Sequence, residues 1–119
     1  MKPINKTLMT LDGILLSIVG PVHIIYLLFF VDVNNIDTAQ YIGIIIIGAL
    51  YTIFGLSFLL RKSVLLLPAL IINTLGLTAV LVLQEASPLW DIDPYLIAVD
   101  CISVPVLLYL NIQCFRKKL

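Results

Sequence analysis

Four long apolar runs alternate with short polar connections along the chain, at about residues 11–31, 39–60, 63–84 and 95–115. Each is close to the roughly 20 apolar residues that carry a helix across a hydrocarbon core about 30 Å thick. The pattern predicts an all-α membrane protein, with four transmembrane helices running up and down in an antiparallel bundle as one domain. The connections carry helix signals. Asp37 and Thr38 are good N-caps for the second span, Ser63 for the third, and Asp93–Pro94 reads as an N-cap followed by proline at the first helical position. Arg61–Lys62 reads as a two-residue hairpin between spans two and three. Pro21, next to Gly20, predicts a bend in span one.

Each run is interrupted by small or polar residues at helical spacing. Asp12, Val19, Gly20, His23 and Tyr26 share a face of span one. Gly48, Tyr51, Thr52 and Gly55 share one on span two. On span three the face is Ala69, Asn73, Gly76 and Gln84; on span four it is Asp100, Ser103, Asn111 and Cys114. Small residues let helix backbones approach closely in lipid. Gly48, Thr52, Gly55 and Gly76 are therefore expected at helix contacts. Four such faces turned inward predict a bundle with a polar seam.

Composition supports the same solvent. Of 119 residues 61% are hydrophobic and only 12% charged, half the charge of an average soluble domain. The first apolar run, at about 20 residues, exceeds the usual 7–15-residue core of a signal peptide. Net charge is zero, which argues against nucleic acid as a partner. The distribution of charge says more. Lys2, Lys6, Arg61, Lys62, Arg116, Lys117 and Lys118 all fall on one side of a four-span topology, whereas Asp32, Asp37, Glu85, Asp91 and Asp93 fall on the other. Basic residues stay cytoplasmic. Both termini are thus expected inside, in a cell membrane, with Tyr41, Trp90 and Tyr95 at the outer interface.

Chemistry is sparse. Cys101 and Cys114 lie on one span, too far apart to bridge each other, and read as small bundle residues. One histidine excludes bis-His haem ligation within the chain, and no cluster suits copper or iron. Glu85, Asp91 and Asp93 lack the form of a calcium loop and read as solvated or capping residues. Asp12 reads as a helix-start acid favoured by the dipole. No phosphate loop, nucleophile elbow or HExxH is present, so an enzyme is not the expected class, and no cofactor or metal is implied.

The exception is Asp100, an acid deep in the last span. An Asp at mid-bilayer costs roughly 2.5–3.5 kcal/mol on insertion scales. Asp100 and His23 both fall in the outer half of the bilayer and are expected to meet directly, through Tyr51 or through one water. Asp100, His23, Tyr51, Asn73 and Tyr26 form the candidate binding set. Two functions fit the sequence. The first is a non-catalytic accessory or structural subunit of a larger membrane enzyme or transport complex, with other membrane subunits as partners. The second is a small transporter, channel or ligand-binding bundle, forming a homo-oligomer and working through the Asp/His pair.

Overall fold

The structure, a computed structural model, describes residues 2–32, 34, 36–82 and 92–118. Among them are four helices and no strand: α1 (Pro3–Phe30), α2 (Thr38–Leu59), α3 (Leu66–Val82) and α4 (Asp93–Phe115). α1, α2 and α4 are long and apolar enough to cross a membrane. α3 has 17 described residues, about 26 Å of helix. Gln84, Glu85, Ser87, Trp90 and Asp91 lie outside the described residues.

α1 begins well before its apolar run. Pro3 occupies the first turn, where its fixed φ is pre-organised and its missing N–H costs nothing. The polar start then coils with an inward stripe of Asn5, Met9, Asp12, Leu16, Val19 and His23, all buried. Asp12 is consequently not a helix-start residue but sits in the helix interior, fully buried. The helix continues through Pro21, although proline removes the amide that would bond to the Ser17 carbonyl. The α2–α3 connection is longer than two residues, running from Leu60 to Leu65. Ser63 contributes its carbonyl to the Leu66 amide at 3.2 Å. Asp37 is the residue before α2, with no side-chain cap bond. Asp93 is the first helical residue of α4, with Ile92 as its cap.

α2 and α4 end in the same way. After α2, the Lys62 amide reaches the Ser57 carbonyl at 3.0 Å and the Arg61 amide reaches Phe58 at 2.9 Å. After α4, the Lys118 amide reaches Gln113 at 2.8 Å and the Lys117 amide reaches Cys114 at 3.0 Å. These are Schellman bonds, which use carbonyls a helix end leaves unpaired. The residue usually found in the left-handed position is glycine. Here Arg61 (φ 58°) and Lys117 (φ 56°) hold it.

α1 and α2 make the closest pairing. Gly13 and Gly20 on α1 oppose Gly55 and Gly48 on α2, in antiparallel order. A Cβ on Gly48 would stand 2.8 Å from the Gly20 carbonyl oxygen, and one on Gly55 would stand 2.8 Å from the Gly13 carbonyl oxygen. The relation is reciprocal: a Cβ on Gly13 would meet the Gly55 oxygen at 3.0 Å. Both glycine pairs are spaced seven residues apart, close to two turns, so they lie on one face. Thr52 fits beside them because its hydroxyl donates to the Gly48 carbonyl at 2.8 Å. In lipid there is little hydrophobic drive for helices to pair, so close packing of this kind holds them together.

α4 packs against α1 and α3, whereas α2 and α3 scarcely touch. The four helices form a curved row in the order α2, α1, α4, α3. Asn111 ties the α3–α4 pair, donating to the Leu66 carbonyl at 2.9 Å and to Leu107 in its own helix at 2.7 Å. Ile18, Ile53, Ile71 and Ile102 face outward. Cys101 and Cys114 are also exposed, on the outer surface of the helices rather than inside the bundle. Thr74 and Thr78 on α3 satisfy their exposed hydroxyls on the carbonyls one turn back, at 2.7 and 2.9 Å.

Gly48→Leu should destabilise the α1–α2 pair by about 1–3 kcal/mol, the usual range for overpacking. Gly43→Ala should be neutral or mildly stabilising, since a Cβ there meets nothing within 4 Å and alanine is the better helix former. Denaturation of the purified protein by SDS, followed by circular dichroism, checks both.

Candidate functional site

The inward faces build a polar seam along the bundle axis. At the end carrying the basic residues lie Asn5 and Asn111. Asp12, Asn73 and Ser103 form the next level, followed by Tyr51, Gly76 and Asp100, with His23 and Asp93 at the far end. One register of antiparallel helices produces this order. With Asn73 beside Ser103, one turn along each helix brings Gly76 level with Asp100. The α1–α4 register that sets Asp12 opposite Ser103 likewise sets His23 opposite Asp93.

The far end opens into a cleft of about 360 Å³ between α2 and α3, closed behind by α1 and α4. Its walls are Ile44 and Ile47 from α2, Leu75, Ala79 and Val80 from α3, and Leu96 from α4. His23, Tyr51, Asp93 and Asp100 supply its polar surface, with Gln40 at the rim. Its volume lies within the range of small-ligand pockets.

Tyr51 is the central group. Its hydroxyl donates to Asp100 Oδ1 at 3.3 Å. Its ring meets the His23 ring edge-on, with centroids 5.5 Å apart and planes at 79°, a favourable aromatic geometry. Tyr51 thus stands between His23 and Asp100. The hydroxyl needs the absence of a side chain at residue 76, because a Cβ there would lie 2.8 Å from it. His23 Nδ1 donates to the Val19 carbonyl at 2.7 Å. His23 and Asp100 are thus linked through Tyr51, and Asp93 is a further acid whose charge acts on the His23 ring.

Asn73 lies one level deeper, its Nδ2 donating to Ser103 Oγ at 3.4 Å. Tyr26 is half-buried and does not line the cleft; it stacks on Phe30 with centroids 5.3 Å apart. Gly48, Thr52 and Gly55 lie on the α1 side of α2, and Gly76 beneath Tyr51.

Two acids have surroundings other than the roles the sequence suggested. Asp93 resembled a cap, yet it is 2% exposed and lines the cleft. Asp12 resembled a dipole residue, yet it is fully buried and its charge acts on both Tyr51 and Asp100. Spacing carried the signal in each case. Asp93 continues the inward stripe of Leu96, Asp100, Ser103 and Leu107, and Asp12 falls between Met9 and Leu16 on the inward stripe of α1. All seven Lys and Arg residues are exposed. Three carboxylates are therefore buried in the bundle with one imidazole and no basic side chain. A buried carboxylate is costly unless it is protonated, hydrogen-bonded or met by another charge.

No family model, no curated protein sequence and no solved structure matches this chain.

Tyr51→Phe removes the bond to Asp100 and should cost about 0.6–1.7 kcal/mol, the usual range for polar contacts between membrane helices. Gly76→Ala should displace the same hydroxyl. A double-mutant cycle on SDS unfolding should show that the two changes are not additive, because both act on one contact.

Proposed function

We propose that the protein is a small integral membrane binding protein of the transporter type, which takes a ligand in the α2–α3 cleft. The carrying observation is the placing of Tyr51 and Asp100, hydrogen-bonded to each other, in an apolar-walled cleft beside His23 and Asp93. The walls suit an apolar body. The acids, with no Lys or Arg among the lining residues, suit a basic or hydrogen-donating group on the same molecule. Tyr51 and Asp100 bind that group, and His23 with Asp93 orients it.

The one-sided basic residues support a topology with both termini cytoplasmic, in a cell membrane. In that orientation the cleft lies in the outer half of the bilayer. A second reading draws on the gap between α2 and α3. A helix of a partner subunit seated there would make the chain an accessory subunit of a larger membrane complex, the groove serving as a socket.

Native mass spectrometry after mild-detergent purification separates the two readings. A chain carrying only its own copies and small molecules supports the binding reading; stoichiometric unlike subunits support the accessory one. Asp100→Asn keeps shape and removes charge. It should leave assembly nearly normal while weakening binding of a basic apolar ligand about tenfold or more, as judged by equilibrium binding in nanodiscs; unchanged binding refutes the cleft as the site. A reporter at the C-terminus should be cytoplasmic, and one inserted at Asn34 external.

A further inference from the structure

Deeper in the seam than the cleft lies a group that the proposed ligand site does not use. The Asp12 carboxylate is fully buried, and neither of its oxygens has a partner within 3.5 Å in hydrogen-bonding geometry, the Ser103 hydroxyl being the side chain near enough to act on it. Asn73 is equally buried, and its Oδ1 is without a partner. Ser103 stands between them. It faces Asp12 and accepts from Asn73 Nδ2 at 3.4 Å. None of the three lines the cleft.

The unpartnered atoms are all acceptors. The Ser103 hydroxyl can satisfy one of them. A proton on Asp12 adds one more donor, directed at a single neighbour. A desolvated cation attracts every surrounding oxygen at once. The donor set is a carboxylate, an amide oxygen and a hydroxyl, without sulfur or imidazole, which is hard-cation chemistry. One formal charge among three oxygens matches a monovalent ion. No group of three or more His, Cys, Asp or Glu residues suited to a metal occurs among the described residues, which argues against a divalent site. His23 cannot serve as counter-charge here, because Nδ1 is engaged by Val19 and the ring lies at the far end near Asp93.

We propose that Asp12, Ser103 and Asn73, brought together by α1, α4 and α3, form a buried site for a small alkali cation of the sodium type, distinct from the cleft. The charge of Asp12 also acts on Asp100 and Tyr51. A cation at Asp12 therefore alters the electrostatics of the cleft without entering it.

The test uses the full chain in mild detergent, with radioactive sodium binding measured directly. Thermal unfolding is compared in sodium, lithium, potassium and choline chloride at equal ionic strength. Sodium should bind at about one ion per chain and raise the melting temperature saturably, by several degrees, with lithium next and choline without effect. Asp12→Asn should abolish both effects. Ser103→Ala should weaken sodium binding by about tenfold or more, and it decides the matter if Asp12→Asn does not fold. Asp100→Asn should retain sodium binding, so failure of the cleft reading and failure of this one are separable. Three results overturn the proposal: no sodium binding to the wild-type chain, unchanged sodium affinity in Ser103→Ala, or stability that depends on pH and is the same in sodium and choline.

Discussion

Burying acid without base is the constraint that governs this molecule. Asp12, Asp93 and Asp100 are all turned inward, while every Lys and Arg is at the periphery. In a low-dielectric interior such an arrangement persists only if the carboxylates are protonated, hydrogen-bonded or joined by a cation. The structure supplies part of the answer from its own atoms. Tyr51 serves Asp100, and the His23 ring feels Asp93. For Asp12 the Ser103 hydroxyl is the side chain close enough to help, and neither carboxylate oxygen reaches a partner in hydrogen-bonding geometry.

The rest of the architecture positions that seam. α1 and α2 lock together through four glycines, and their backbones come close enough to leave no room for a side chain between them. That contact is built from backbone and from the small hydroxyl side chains of Ser17 and Thr52. The polar groups of α1 are consequently displaced toward α4. α4 in turn is tied to α3 by Asn111 at one end and by Asn73–Ser103 in the middle. With α1–α2 and α3–α4 each tightly paired, the weak side of the bundle falls between α2 and α3. The cleft is a result of which faces carry glycine and which carry amide side chains.

Much of this was legible in the sequence. Long apolar runs identified the membrane class and the helix count, and small residues at helical spacing marked the packing face of α2. What escaped was local. Asp12 and Asp93 were read by their place near the ends of apolar runs, where acids normally serve as caps or dipole partners. Asp12 already fell on the inward face of span one, but its nearness to the start of the apolar run favoured a dipole role; the stripe of Asp93 is visible only once α4 is known to include it in its first turn. Gly13 was passed over for a similar reason: its role exists only opposite Gly55, and pairing between helices is not written in either helix alone. Tyr26 shows the reverse error. It shares the approximate face of His23, but three residues further on the helix has left the cleft, and its ring finds Phe30 instead.

The left-handed residues after α2 and α4 bear on how such a chain tolerates change. Glycine at Arg61 or Lys117 would relieve backbone strain, since non-glycine residues in that region cost about 1–2 kcal/mol. By local stability alone these are the obvious sites to improve. Each replacement would also remove one of the seven cations on which the proposed topology rests, and a positive charge from a helix C-terminus where it is favoured. The chain accepts a strained backbone in order to keep its charge asymmetry. Selection for thermal stability and selection for correct insertion therefore pull in opposite directions at the same two residues.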